Sequence, residues 1–106
     1  MDPKPLSWED IPEDNPIPLL SRRRFKGERM MLASVVLKKG CHVHTHQHDN
    51  EQIACVMRGQ ALFGPGEVLH LPSNLPHSVV ALEDTRILDL FSPPTDQMGV
   101  DNQGRG

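Results

Sequence analysis

Histidine recurs at every second position in one short stretch near the middle of the chain, at His42, His44, His46 and His48. In an extended strand, residues two apart point to the same face, so a strand here would present its imidazoles together. Neutral imidazole is the commonest protein ligand for transition metals. The stretch therefore predicts a strand that builds a metal site, with the rest of the chain folded around it.

Short apolar segments separated by glycine and proline turns surround the histidine strand. We predict further strands at 30–37, 52–58, 61–63, 68–71, 77–82 and 86–91. Short strands at intervals of about 8–12 residues favour an all-β sandwich or barrel. No segment carries a convincing helical period, so the predicted fold class is all-β.

The length of 106 residues predicts a single folded domain. Five prolines within residues 1–20 exclude a long helix and predict an extended arm, with Trp8 among its apolar anchors. We place the barrel at residues 21–95. Residues 96–106 are polar and rich in glycine, and we expect a disordered tail.

The formal net charge of -3 gives no basic excess that would indicate nucleic-acid binding. The one positive run begins at Arg22, and we expect it to be the solvated start of a strand. Two cysteines favour reduced thiols in the cytosol. Neither a signal peptide nor an apolar run of about 20 residues is present, so we expect a cytoplasmic protein without a membrane anchor.

Two spaced sets of residues resemble the paired motifs of the cupin superfamily. The first set is Gly40, His46, His48, Gln52 and Gly59, and the second is Gly66, Pro72, Asn74 and His77. The resemblance implies a double-stranded β-helix, or jelly-roll barrel. It also implies one divalent transition metal (Fe, Mn, Ni, Cu or Zn) held by His46, His48, Gln52 and His77.

The chain departs from the cupin pattern at the third ligand, where the family usually has glutamate and this sequence has Gln52. Glu51 is out of register by one residue, which would put it on the opposite strand face. A neutral set of three imidazoles and one amide leaves the full charge of a dication to act on a substrate, which favours Lewis acidity. Asn74 replaces a loop glycine, and asparagine tolerates left-handed conformations.

The segment between the two motifs is short: only residues 60–65 separate them, where cupins have a longer β-hairpin. Residues 61–63 would form its first strand, but no return strand follows. Either the hairpin has been trimmed or residues are missing between Phe63 and Gly64. We favour missing residues, because the first strand would otherwise lack a partner.

A finer resemblance is to the small cupins of pectin degradation that ketonise unsaturated monouronates. The run from Asp89 to Pro94 is similar to their last strand, which implies that Asp89 is the acid/base group and that Phe91 is a wall of the pocket. Thr95 stands where those proteins have an arginine that would grip the substrate carboxylate. Arg86 or the N-terminal arginines could substitute, and we expect Met57 to line the core or the pocket.

Three functions remain open at this point. The first is a metal-dependent isomerase or tautomerase acting on a small sugar acid or similar metabolite. The alternatives are a dioxygenase that uses ferrous iron and a non-catalytic module that binds a small ligand. The resemblance and the proline-rich arm predict a homodimer. His42 and His44 could add a second metal site, but we favour surface histidines.

Overall fold

The computed structural model describes residues 2–61 and 63–102, and its strands form two sheets. The strands are β1 (Glu13–Asp14), β2 (Leu20–Lys26), β3 (Met31–Leu37), β4 (His42–His46), β5 (Glu51–Arg58), β6 (Val68–Leu71), β7 (His77–Val80) and β8 (Thr85–Ser92). The larger sheet has the order β1-β2-β3-β8-β5-β6, and β4 pairs with β7 in the smaller one. All the pairs are antiparallel.

Alternation along the central strands places the core between the sheets. In β8 the buried residues are Thr85, Ile87, Asp89 and Phe91, and the residues between them are half-buried. Antiparallel strands with one face on the core show this period of two. The expected all-β jelly-roll barrel is confirmed, and the helical elements among residues 2–61 and 63–102 are the 3-10 turns Trp8–Asp10 and Val100–Asn102.

Part of the N-terminal arm lies on the sheet of its own subunit. Glu13 in β1 pairs with Arg23 in β2, and Arg23 Nη1 donates hydrogen bonds of 2.8 Å to the carbonyl oxygens of Trp8 and Ile11. The expected solvated start of a strand is wrong for Arg22, whose exposed fraction is 3%. Arg22 faces inward because β2 alternates like its neighbours.

The C-terminal segment is ordered where we expected disorder. Met98 and Val100 are 7% and 4% exposed and belong to the hydrophobic core. The expectation of a disordered tail at 96–106 is therefore wrong for residues 98–102, because two apolar side chains and an ion pair of Asp101 with Arg22 attach the segment to the barrel. Residues 103–106 lie outside the described residues.

The connection between β5 and β6 is a compact loop. Gly66 N donates to Val56 O at 3.1 Å, and Glu67 N donates to Gly64 O at 3.1 Å. The strand expected at 61–63 is not formed by its described members: Ala61 is buried in a bend and Phe63 packs against the core. Leu62 lies outside the described residues, and the interpretation of missing residues stays a prediction.

Two features bear on the expected setting of the protein. Cys41 and Cys55 are both free thiols. No helix in the described part of the chain has the length and apolar character needed to cross a bilayer.

Candidate metal centre

Three histidines from the smaller sheet and its adjoining loop converge at one end of the barrel. His46 ends β4 and pairs in register with His77 at the start of β7. His48 follows in the loop before β5, and the ring centroids of His48 and His77 are 4.9 Å apart. One nitrogen from each ring lies within 4.8 Å of the other two. The nitrogens of imidazoles on one ion lie about 2.0–2.1 Å from the metal, so a small contraction would bring all three onto it.

Backbone carbonyls fix the orientation of all three rings through the same nitrogen. His46 Nδ1 lies 2.8 Å from His44 O, His48 Nδ1 lies 3.0 Å from Asn50 O, and His77 Nδ1 lies 2.8 Å from Leu75 O. A carbonyl only accepts, so each Nδ1 carries the hydrogen and each Nε2 presents a lone pair. His77 Nε2 is buried without a hydrogen-bond partner, which fits a group whose partner is a metal ion.

Gln52 on β5 presents an amide oxygen beside the three histidines. Its side chain is buried, and Oε1 lies 3.1 Å from His48 Nε2. Since His48 Nδ1 donates to a carbonyl, two acceptors face each other across this distance, and a cation between them would relieve the repulsion. Glu51 is exposed and contacts His70 at 2.6 Å, as the one-residue register shift predicts.

Burial favours the neutral, metal-binding form of His46 and His77. Desolvation lowers the pKa of His46 and His77, and the neighbouring histidines lower it further, although hydrogen bonds to His44 and Leu75 act in the opposite direction. A lowered pKa favours neutral imidazole at physiological pH. The residues present therefore fit a divalent transition ion.

Asp89 lies beside this donor set and is enclosed by the large sheet. Its Oδ1 accepts a hydrogen bond of 3.0 Å from Gln52 Nε2, and its register partners on both neighbouring strands are alanines, Ala33 and Ala54. Burial raises the pKa of Asp89 to about 7, although the bond from Gln52 lowers it. The inward carboxyl expected from the sequence is thus present.

A cavity of about 300 Å³ adjoins these polar groups. It is lined by Leu20, Val35, Leu37, Val43, His46, Gln52, Ala54, Phe63, Leu69, Leu71, Leu75, Pro76, His77, Ser78, Val79, Ile87, Asp89, Phe91, Met98 and Val100. Phe91 is 1% exposed, and its ring centroid lies 5.6 Å from that of His48. It is therefore a wall of the cavity, as the resemblance implies.

Two residues expected in the pocket lie elsewhere. Met57 is 53% exposed, because it follows the inward Val56 on β5 and faces out. Arg86 alternates with the inward Ile87 on β8, and its Nε donates to Ser34 Oγ at 3.3 Å. Neither residue lines the cavity, and both pocket assignments are wrong. Thr95 makes a local turn with Gln97.

The first two histidines of the alternating stretch, His42 and His44, lie outside the convergent group. His42 and His44 are exposed, and their ring centroids are 4.2 Å apart. The register of β4 with β7 shifts between Val43 and His46, so His42 precedes this irregularity and His44 lies within it. The group of histidines, cysteines and carboxylates that could hold a metal among residues 2–61 and 63–102 does not include them.

The C-terminal segment covers His46, which the sequence reasoning missed. Gly99 has φ +89°, and a Cβ on it would collide with the His46 ring. Arg22 holds the segment in place through its contact with Asp101. Its Nε also donates a hydrogen bond of 2.9 Å to Asp14 Oδ1. The signal in the sequence was the alternation of Met98 and Val100 around a glycine within a polar tail.

Comparison with solved structures places this architecture among the cupins. KdgF from Halomonas sp. matches with a TM-score of 0.76 and 27% identity over 85% of this chain and 93% of that one. An RmlC-like cupin from Shewanella frigidimarina NCIMB 400 matches with a TM-score of 0.79 and 19% identity over 84% and 89%.

A variant of Bacillus subtilis oxalate decarboxylase matches with a TM-score of 0.80 and 23% identity over 88% of this chain but 30% of its own. No family model matches the sequence, and neither does any curated protein. The barrel, the convergent histidines and these neighbours together show that the chain has a cupin fold and resembles KdgF.

Proposed function

We propose that this cupin is a metal-dependent isomerase or tautomerase that moves a proton within a small hydroxy- or oxo-metabolite. The observation that carries the proposal is the contact of Asp89 with Gln52, because it places a buried carboxyl next to the metal donor set and on the wall of the same cavity. Asp89 has no cation beside it among its recorded contacts, so a structural ion pair does not account for it.

The residues divide the work between binding and proton transfer. His46, His48, His77 and Gln52 would hold a divalent ion, which supplies Lewis-acid polarisation of a substrate oxygen when bound. Asp89 gives or accepts the proton at a neighbouring atom of the substrate. Gln52 orients the Asp89 carboxyl through its Nε2, and Phe91 excludes water from this end of the cavity.

The resemblance of the motifs to those of the uronate-ketonising cupins supports this reaction class, and the fold is similar to that of KdgF. The sugar-acid substrate itself has less support. Thr95 replaces the arginine of the resemblance, and Arg86, which could have substituted for it, faces away from the cavity. We therefore propose the reaction class and do not restrict the substrate to a sugar acid.

The test measures exchange of substrate hydrogen with deuterated solvent, monitored by proton NMR. Metal-loaded protein is incubated with each of a panel of small hydroxyketones, ketones and uronates. We expect Asp89→Asn to keep its metal and its fold and to lose about 100-fold or more of the exchange rate. Full activity in that variant would rule out Asp89 as the proton-transfer group. Oxygen uptake by the ferrous protein would indicate a dioxygenase, and saturable binding without exchange would indicate a binding module.

We also propose that the protein is a cytoplasmic homodimer. The outer face of the large sheet supports pairing, because Phe25 and Val68 on it are 48% and 65% exposed. Residues 8–14 contact their own subunit, so this face is a better candidate for the interface than the arm. Sedimentation should give a dimer, and a single species at the chain mass of 11.9 kDa would contradict it.

A further inference from the structure

We propose that the cavity accepts an uncharged, largely hydrocarbon substrate with one carbonyl or hydroxyl oxygen at the histidine end, in place of a sugar acid. This inference rests on the proposed function of the site and specifies its substrate class. The observation behind it is the uneven distribution of polar groups along the cavity wall.

The polar groups of the wall lie at one level of the barrel. Gln52 pairs in register with Phe91, and Asp89 lies two residues away on the same strand. Ile87 comes two residues further, about 7 Å beyond Asp89, and pairs with Val35. Apart from Ser78, which directly follows His77 on β7, the remaining lining residues are apolar, so the polar side chains available to a substrate lie at or next to the histidine end.

No lysine or arginine is found among the described residues that line the cavity. Arg22 is the buried arginine nearest to it, since its Nη1 lies 3.6 Å from Sδ of the lining residue Met98. Its guanidinium is already neutralised by Asp14 and Asp101. A substrate carboxylate away from the histidine end would therefore find no counter-charge.

The energetics exclude substrates with several polar groups. A buried hydroxyl or carboxylate without a partner loses its hydration, at a cost of one to several powers of ten in affinity. A sugar acid carries a charge and several hydroxyls, whereas the apolar side chains of the wall offer no groups to pair with them. The cavity volume of about 300 Å³ is at the small end of ligand pockets and suits one compact molecule.

The experiment compares two matched ring ketones as probes of the metal-loaded protein by titration calorimetry. 4-Methylcyclohexanone and 4-hydroxycyclohexanone share the ketone and differ by a methyl group against a distal hydroxyl, and D-galacturonate serves as the sugar acid. We expect the methyl ketone to bind at least tenfold more tightly than the hydroxy ketone, because either orientation of the latter leaves one polar group unpaired. Equal or tighter binding of the hydroxy ketone or of the sugar acid would overturn the proposal.

Adjacent valines on β3 provide a matched pair of variants. Val35 lines the cavity and is 4% exposed, whereas Val36 faces away from it and is half-buried. Val35→Thr places a hydroxyl in the cavity with little change in volume, and we expect it to weaken binding of the methyl ketone about tenfold. Val36→Thr should leave binding unchanged. Equal affinities of the two variants would contradict binding in this cavity.

Binding and turnover separate this inference from the proposed function. If the ketone preference holds while no compound undergoes hydrogen exchange, the isomerase proposal fails and the substrate class stands. If exchange occurs with uronates and not with neutral ketones, the reaction class stands and the substrate class fails.

Discussion

Gln52 joins the two chemical groups of this barrel, because its Nε2 donates to Asp89 Oδ1 at 3.0 Å while its Oε1 lies 3.1 Å from His48 Nε2. The amide fits this position because it both donates and accepts. A glutamate at the same place would set two carboxyls against each other. The departure from the usual cupin glutamate therefore accompanies the inward carboxyl of Asp89.

The first prediction concerns Gln52→Glu in metal-free protein. Two carboxyls in contact raise the pKa of one of them, and burial already raises the pKa of Asp89 to about 7. The native state then binds more protons than the unfolded chain between the ordinary carboxyl pKa and the raised one, so stability falls as pH rises through that window. We expect the melting temperature of the variant to drop below wild type by about 5–10 °C at pH 8, and by less at pH 5.

Thermal unfolding at the two pH values measures this effect, with Glu51→Gln as the control because Glu51 is exposed on the other strand face. Addition of a divalent ion should restore part of the loss in Gln52→Glu. A variant as stable as wild type at pH 8 without metal would show that Gln52 and Asp89 are not in contact.

Alternation explains why much of this site was accessible from the sequence. Period two separates Glu51 from Gln52 on β5, and it places Asp89 and Phe91 on the inward face of β8. The assignments of Met57 and Arg86 to the pocket were made without this rule, and neither residue lines the cavity. Alternation from Phe91 would have placed Arg86 outside the barrel.

Other parts of the structure depend on contacts distant in the sequence. Arg22 is buried only because Asp14 and Asp101 approach it from the two ends of the chain. No local sequence pattern predicts that these three residues come together. The C-terminal segment was assigned to disorder by its polar composition. Its order depends on Met98 and Val100, which are a small part of the segment by count.

The second prediction separates the convergent histidines from the exposed ones on the same strand. His77→Ala removes the Nε2 that is buried without a partner, and we expect metal content to fall below one tenth of wild type because three donors hold a divalent ion far less tightly than four. His42→Ala should retain full metal content. Elemental analysis of both variants measures this, and loss of metal in His42→Ala with full content in His77→Ala would place the metal at the exposed histidines.

The third prediction tests the cover over His46 with two glycines of similar backbone conformation. Gly99 and Gly66 have φ of +89° and +81°, but a Cβ meets the His46 ring at Gly99 and nothing within 4 Å at Gly66. We expect Gly66→Ala to cost about 1 kcal/mol in the free energy of unfolding and Gly99→Ala about 2–4 kcal/mol. Urea unfolding gives both values, and equal costs would show that the segment does not rest on His46.

The fourth prediction concerns the ion pair that fastens this segment. Burial pushes the pKa of Asp101 upward, but hydrogen bonds from Arg22 and the Met98 backbone outweigh it, so the pKa lies below its usual value. Its stabilising contribution is present above the ordinary aspartate pKa and is lost as pH falls through the lowered one. We expect Asp101→Asn to cost about 1–2 kcal/mol at pH 7 and to reduce the fall in stability below pH 4.

Asp96→Asn is the matched control, because Asp96 pairs with Lys26 in the exposed part of the same segment. It should leave the unfolding free energy at pH 7 nearly unchanged. Denaturant unfolding between pH 3 and pH 7 provides the comparison. A loss of unfolding free energy in Asp96→Asn as large as that in Asp101→Asn would show that the ion pair of Asp101 with Arg22 does not specifically hold the segment.

We expect one divalent ion to bind to three imidazoles and an amide at this end of the barrel. Metal analysis of freshly purified protein, together with anomalous scattering from its crystals, tests it most directly. We predict one transition ion per chain, bound by Nε2 of His46, His48 and His77 and by Oε1 of Gln52. Protein without a stoichiometric metal, or an anomalous peak at His42 and His44 instead, would contradict the account.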